Sequence, residues 1–129
     1  MKLTPILTKS DYTILRKLVK SAKDASNIRE IALLTQELDR AIVKEEDVFD
    51  ANIIRINSFA IIEDVNSKQQ MKIQIVMPSL ANLKEGKISV LAPLSVAIIG
   101  FKENDQVDWM LPSGNKALRI ITVTNPSHN

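Results

Sequence analysis

The chain has 129 residues, of which 45% are hydrophobic and 25% are charged, and its formal net charge is +2. These values are typical of a soluble globular protein of about one domain. The absence of cysteine excludes disulfides, thiolate nucleophiles and zinc sites built on cysteine. The first residues lack the apolar core of a signal peptide, and no apolar run approaches a membrane span, so we expect a cytoplasmic protein without a membrane segment.

The small net charge conceals two segments of opposite sign. Residues 1–23 carry six Lys or Arg and one acidic residue, a net of +5, whereas residues 24–50 carry three Lys or Arg and eight acidic residues, a net of −5. A nucleic-acid-binding protein usually has an uncompensated basic face. We therefore expect two elements that pack against each other, and no direct sequence-specific binding of nucleic acid.

The first segment predicts an amphipathic helix that runs to about Ala22. Thr8 or Ser10 is its candidate N-cap, because a side-chain oxygen at that position can accept a bond from a free backbone N–H of the first turn. The apolar residues that recur at helical spacing are Ile14, Leu15, Leu18, Val19 and Ala22.

The second segment predicts another helix, whose apolar residues alternate between spacings of three and four, as in a short coiled coil. Asn27 followed by Glu30 resembles a capping box at its start. The turn 23–26 is short, which makes the two helices antiparallel neighbours. The predicted hairpin has arms of about 13–15 residues, roughly 20 Å long at 1.5 Å per residue. Its seam comprises Ile28, Ile31, Leu34, Leu38 and Ala41 or Ile42, and Leu33 lies off this seam.

From Asn52 onward, the apolar pattern changes from helical to strand-like. Between two of the predicted strands, Pro93 begins a short apolar helix, because the first helical position tolerates a missing N–H, and Gly100 closes it. Several antiparallel strands with one inserted helix predict an α+β fold. We divide the chain into a helical hairpin, residues 1–48, and a sheet domain, residues 49–129. The predicted strands are Ile53–Ile56, Phe59–Asp64, Met71–Val76, Lys87–Val90, Gln106–Leu111 and Ala117–Val123.

Few side chains are suited to chemistry. The only histidine, His128, stands next to the last residue, where chains are usually solvated, so serine triads and histidine-based metal sites are not expected. Phe59 and Trp109 are candidates for a pocket lining, but aromatic residues in strands usually fill the core, and we predict core packing for both.

An acidic cluster follows the second helix. It could bind a divalent cation through oxygen ligands, but such charge runs are usually solvated linkers. We therefore expect no catalytic residue, no metal and no cofactor. The cluster comprises Glu45, Glu46, Asp47 and Asp50.

The region from Gly86 to Asn115 resembles the C-terminal domain of the bacterial Gre-type transcript-cleavage factors. The shared pattern is a strand, a proline step, a helix that ends in Ile-Gly, a further strand and a glycine-containing hairpin. The resemblance implies an FKBP-like fold that docks on RNA polymerase near the mouth of its secondary channel. In this sequence the pattern is carried by Gly86–Ser89, Pro93–Leu94, Ala97–Lys102, Asn104–Val107 and Leu111–Asn115.

Further motifs resemble the Rnk-type regulators of nucleoside diphosphate kinase, within the same Gre family. They are the run Leu34–Ala41, the residues Ile56–Ser58 at the entry to the first strand, Leu91–Pro93 and Trp109–Pro112. With these motifs, the resemblance extends over about Ile28 to Val123. It supports an N-terminal antiparallel helical hairpin followed by an FKBP-like antiparallel sheet domain with one short helix.

The sequence departs from the cleavage factors at the predicted hairpin tip. In those factors a long coiled coil presents two acidic residues, which hold a catalytic metal at the polymerase active site. Here the tip offers one carboxylate beside a cation, which is a poor ligand set for magnesium, so we expect no transcript cleavage. The tip comprises Lys23, Asp24, Ala25 and Ser26. The resemblance implies that the residues that dock on the polymerase are Leu91, Ala92, Pro93 and Leu94.

Three functions follow from these patterns. The first is a non-enzymatic regulator that binds the rim of the polymerase secondary channel and competes with cleavage factors. The second is an FKBP-like peptidyl-prolyl isomerase, although such an enzyme needs an aromatic-lined pocket and only 4% of the residues are aromatic. The third is an interaction module that uses the hairpin, which exposed apolar residues such as Leu33 would favour. The sequence leaves open the oligomeric state and the direction of any effect on transcription.

Overall fold

Two packed helices lead into a five-stranded sheet, and one short helix is inserted between two of its strands. The computed structural model describes residues 3–21, 28–46, 50–111 and 113–126. This arrangement confirms the predicted α+β fold. The elements are β1 (Ile6–Thr8), α1 (Lys9–Ser21), α2 (Ile28–Arg40), β2 (Ile42–Lys44), β3 (Phe59–Asp64), β4 (Gln70–Val76), 3-10 turns at Pro78–Leu80 and Leu83–Glu85, β5 (Lys87–Ser89), α3 (Pro93–Ile98), β6 (Gln106–Leu111) and β7 (Gly114–Thr124).

The helical hairpin forms because each helix buries one apolar stripe. Thr8 is the N-cap of α1, since its Oγ1 accepts a hydrogen bond of 3.1 Å from the backbone N–H of Asp11. The prediction of Thr8 as a cap is confirmed, whereas Asn27 and the tip residues lie outside the described residues. The buried stripes are Leu15 and Val19 on α1, and Ile31, Leu34 and Leu38 on α2.

The sequence did not predict two short strands at the base of the hairpin, β1 and β2. β1 and β2 pair in parallel, with Ile6 opposite Ile42. The N–H of Ile42 donates to the carbonyl oxygen of Pro5 at 2.9 Å, and the N–H of Ile6 donates to that of Gly100 at 2.8 Å. Strands of three residues are too short to show a period. They connect both ends of the hairpin to the segment that follows α3.

The five strands of the main sheet follow the order β5-β4-β3-β7-β6. Neighbours are antiparallel, except that β4 and β5 run parallel. The predicted strand Ile53–Ile56 was wrong, because only Ile53 forms an isolated bridge, with Lys102. Ile54 is instead buried, and its N–H donates to the carbonyl oxygen of Phe101 at 2.8 Å. The apolar run therefore reflects burial and not a ladder of strand pairs.

One face of the sheet carries the core. Successive side chains of a strand point to opposite faces, and on β3 the buried face holds Ala60 and Ile62. Phe59 lies on the other face and is 49% exposed, so the prediction that it packs in the core was wrong. Trp109 is half-buried and packs against the core as predicted.

The buried apolar residues of the hairpin and of the sheet form one continuous cluster. Leu15 and Leu34 of the hairpin belong to the same cluster as Ile62, Ile75 and Leu118 of the sheet. The division at residues 48 and 49 stays a prediction. Within the described residues, no helix is long and apolar enough to cross a membrane.

The neighbouring residues Ile14 and Leu15 test the burial of the hairpin seam. Leu15 is fully buried, whereas Ile14 is 41% exposed. We expect Leu15→Ala to lower the free energy of unfolding by about 2–5 kcal/mol, because it leaves a cavity. The matched control Ile14→Ala should change it by about 0.5 kcal/mol or less. Urea denaturation measures both, and equal effects would contradict this packing.

Candidate functional site

In the segment that connects β5 to α3, one proline is exposed between buried leucines; we call this segment the proline step. Pro93 is the first residue of α3 and is exposed, and Ala92 before it is half-buried. Leu91 and Leu94 are buried in the core, at 9% and 5% exposure. Of the four predicted docking residues, Ala92 and Pro93 are therefore accessible to a partner, and the two leucines hold them in place.

Local hydrogen bonds hold the segment before Pro93. The N–H of Leu91 donates to Oγ of Ser89 at 3.0 Å, and the N–H of Ala92 donates to the carbonyl oxygen of Ser89 at 2.9 Å. Proline at the first helical position costs no hydrogen bond, because that N–H has no partner within a helix. Gly100 follows α3 with a φ of +85°, the left-handed conformation expected of a residue that closes a helix.

Pro93 borders a groove of about 410 Å³ between α2, α3 and β6, which we call the β6 groove. Its size lies within the range of ligand-binding pockets. Leu33, which lies off the hairpin seam, faces this groove instead of open solvent. The apolar residues that line the β6 groove include Leu33, Pro93, Val96, Ala97, Phe101 and Val107.

Charged side chains stand on both walls of the β6 groove. On α2, Arg40 Nη2 lies 2.8 Å from Oε2 of Glu37, three residues earlier on the same helix. On β6, Asp108 is exposed, and no ion pair is found for it among the described residues. The β6 wall therefore carries a carboxylate that forms no ion pair among the described residues, and Arg119 of β7 donates to Oε1 of the neighbouring Gln106 at 3.4 Å.

A buried carboxylate joins the hairpin to the sheet domain. Asp11 on α1 is 5% exposed, and its Oδ2 accepts a hydrogen bond of 3.0 Å from the backbone N–H of Ile56. The same oxygen lies 3.9 Å from Nε of Arg55. Burial raises the pKa of Asp11, and the Ile56 N–H and the Arg55 charge oppose that rise. Sequence reasoning missed this group, because one acid in a basic helix looks like a surface residue.

Glu46 binds the same arginine, and we call Asp11, Arg55 and Glu46 the joint. It accepts hydrogen bonds from Nη2 of Arg55, at 2.8 Å, and from Oγ of Ser10. The Ser10 hydrogen bond is the main cause that lowers the pKa of Glu46, and the Arg55 charge adds to it. The sequence placed Glu46 in a solvated acidic linker, whereas the structure gives it these two partners. Of the other cluster members, Glu45 and Asp50 are exposed.

Several predicted residues lie outside the described residues. They include the hairpin tip and the acidic residue Asp47. His128 also falls there, so no site can be assigned to it. Within the described part of the chain, no group of three His, Asp or Glu side chains is placed to hold a metal ion.

A helical hairpin followed by a sheet domain is the fold of this chain, and the comparisons with known proteins give its class, the transcription elongation factors. Residues 50–125 match the family model "Transcription elongation factor, GreA/GreB, C-term", and the chain belongs to this family. Proteins named transcription elongation factor GreA are similar to it. The one from Beijerinckia indica subsp. indica is 30% identical over 105 residues, which cover 80% of this chain and 67% of that protein. The one from Hyphomonas neptunium is 32% identical over 93 residues, 72% of this chain and 59% of that protein.

Solved structures agree with this assignment. The prokaryotic transcription elongation factor GreA/GreB from Nitrosomonas europaea superposes with a TM-score of 0.75 at 25% identity, covering 96% of this chain and all of that one. The GreA factor homologue Gfh1 of Thermus thermophilus, with a TM-score of 0.50 and 24% identity over 95% of this chain and all of that one, shares the fold. The match to the two GreA proteins spans only 59% and 67% of their lengths.

The buried carboxylate provides a pH test of the joint. A group whose pKa is raised by folding binds its proton more tightly in the folded state, so this group adds stability as the pH falls through its raised pKa. We expect the free energy of unfolding of the wild type, minus that of Asp11→Asn, to increase as the pH falls from neutrality towards 3.8, the ordinary pKa. Urea denaturation at several pH values measures this difference.

Glu46→Gln is the companion variant. Because the pKa of Glu46 is lowered, its contribution is present above the ordinary value of 4.5 and is lost as the pH falls. The corresponding difference for Glu46→Gln should therefore decrease on acidification. If the two stability differences change in the same direction as the pH falls, the joint is assigned wrongly.

Proposed function

We propose that this protein is a regulator of transcription elongation that binds RNA polymerase near its secondary channel. Membership of the GreA/GreB family and the names of its relatives support this function. The observation that carries the proposal is the exposed Pro93 on its buried base, at the position where the family resemblance implies docking. An apolar segment that is held by local hydrogen bonds and by proline has little conformational entropy to lose when a partner covers it.

The helical hairpin would act by occupying the channel entrance. Each helix has 13 described residues, so an arm is roughly 20 Å long at 1.5 Å per residue. A finger of that length shields an entrance and does not extend far beyond it. We infer that the protein competes with factors that have longer coiled coils, and that within its family it is of the Rnk type.

We further propose that the protein does not promote transcript cleavage and is not itself an enzyme. The sequence of the tip has one acidic residue, Asp24, beside Lys23. A magnesium ion needs several oxygen ligands, and a neighbouring ammonium group repels it. The tip therefore lacks the paired acids that the cleavage chemistry requires.

The other two functions have less support. A prolyl isomerase needs an aromatic-lined pocket, and the β6 groove has one aromatic residue in its lining, the almost fully buried Phe101. An interaction module based on the hairpin was favoured by an exposed Leu33, but Leu33 packs against the core beside α3. Both functions therefore rank below polymerase binding.

Pro93→Asp tests the docking step. We expect this change to weaken binding to core RNA polymerase by about thirtyfold or more, because it places a charge at the centre of an apolar contact. The fold should be retained, because Pro93 is exposed and an acidic residue suits the first turn of a helix. Co-purification and a binding titration with core polymerase measure the effect.

Leu83→Asp is the matched control, because Leu83 is also apolar and 83% exposed but lies in the 3-10 turn before β5. It should bind like the wild type. The wild type should also displace a cleavage factor from polymerase. Normal binding by Pro93→Asp would rule out this surface, and the absence of both binding and competition would rule out the function.

Stalled elongation complexes test the absence of cleavage. We expect the wild type to release no 3′ fragment of the transcript above the rate of polymerase alone, whereas a cleavage factor added in its place does so. Gel analysis of labelled transcripts at saturating magnesium measures this. Fragment release that depends on Asp24, shown by its loss in Asp24→Asn, would overturn the proposal.

A further inference from the structure

The β6 groove opens along the edge of a strand. Three consecutive residues of β6, Gln106, Val107 and Asp108, line it, although successive side chains of a strand point to opposite faces. A groove in contact with all three must therefore run beside the backbone. β6 is the last strand in the sheet order, so the described part of the chain places no further strand on this edge.

The strand register identifies the backbone groups at this edge. Ala117 on β7 lies opposite Asp108, and its carbonyl oxygen accepts from the N–H of Val65, on the β3 side, at 2.9 Å. The N–H and C=O of one strand residue point the same way, so the pair of Ala117 with Asp108 is not hydrogen-bonded. The N–H and C=O of Asp108 therefore point to the open edge, and by alternation those of Gln106 do too.

The sheet has two edge strands, β5 and β6, and the outer edge of β5 is covered by the loop before it. On β5, the N–H of Lys87 donates to the carbonyl oxygen of Asn82 at 3.0 Å, and the N–H of Asn82 donates to that of Lys87 at 2.9 Å. The loop before β5 thus occupies its outer edge. Natural sheets usually protect both edges in some such way, and an edge left open beside an apolar groove is suited to pairing with another chain.

We propose that the β6 groove binds an extended, unstructured peptide segment of a partner protein, which adds a strand to β6. A bound helix would satisfy its own backbone and leave the edge unpaired, whereas a strand pairs with Gln106 and Asp108. Every second side chain of that strand would enter the apolar lining formed by Leu33, Ala97 and Val107.

Charge defines the segment further. Arg40 on the far wall forms an ion pair with Glu37, whereas Asp108 on the strand side forms none among the described residues. The favoured segment therefore has apolar residues at alternate positions and a Lys or Arg at the end that lies beside Asp108. This proposal does not rest on polymerase binding, because it concerns the isolated protein.

The test uses the full chain and a blocked nine-residue peptide, with valine at alternate positions, threonine between them and lysine at both ends. Fluorescence anisotropy of the labelled peptide should show saturable binding. Two N-methylated isomers of this peptide are compared. One carries methyl groups on the odd-numbered backbone nitrogens, and the other carries them on the even-numbered ones. Only the set that faces β6 donates to the edge, so one isomer should lose about tenfold in affinity and the other should bind like the parent. Equal losses, or no binding of the parent, would overturn strand addition.

Protein variants locate the peptide. Asp108→Lys should weaken binding of the lysine-ended peptide about tenfold, whereas the matched control Glu85→Lys, near the covered β5 edge, should bind it normally. Ala97→Trp should also weaken binding by filling the groove, and its thermal unfolding shows whether it is folded. Unchanged binding by Asp108→Lys would contradict the site.

Sedimentation equilibrium tests whether the β6 edge binds a second copy of this chain instead of a peptide segment. A monomer mass that does not change with concentration is expected. A dimer that is lost in Asp108→Lys would assign the β6 edge to self-association and would overturn the proposal.

Discussion

The carboxylate of Asp11 is buried at the place where the helical hairpin meets the sheet domain, and the geometry of the two depends on it. A charged group in a dry environment is costly unless hydrogen bonds and an opposite charge compensate it. Here the Ile56 N–H and Arg55 provide that compensation, and Glu46 holds Arg55 in turn. Such a network adds little net stability, but it strongly disfavours arrangements in which one partner is lost.

A second set of bonds fixes the same base of the hairpin. The N–H of Ile6 donates to the carbonyl oxygen of Gly100, two residues after the end of α3, and β2 pairs with β1 beside it. Gly100 permits this approach, because a Cβ there would stand 2.7 Å from Cβ of Pro5. The hairpin is thus fixed to the segment that carries Pro93 as well as to the one that carries Arg55. Its direction relative to the proline step is consequently part of the fold.

Most of the elements that the sequence predicted have a sustained period, whereas α3 was predicted from the proline and the glycine at its ends. The hairpin helices and the strands around Phe59, Met71, Gln106 and Ala117 bury one stripe or one face, and that burial leaves a repeating pattern.

Most of the failures concern contacts between segments that are short or distant in the sequence. β1, β2 and the run at Ile53 are set by tertiary contacts between short segments, which leave no period in the sequence. Phe59 was placed in the core by its residue type, although its position in the alternation put it on the exposed face. Asp11 and Glu46 were not recognised, because their roles depend on partners 45 and 9 residues away along the chain.

The β6 groove combines these constraints. Its walls come from α2 of the hairpin and from β6 of the sheet, so its width depends on the Asp11 joint and on the β1–β2 pair rather than on either unit alone. A partner that contacts both walls binds only the arrangement that the joint holds, and by linkage it stabilises that arrangement. Because Pro93 stands on the rim of the same groove, a segment in the groove and a partner at Pro93 would lie side by side. Binding at this surface would then depend both on the direction of the hairpin and on the presence of a partner.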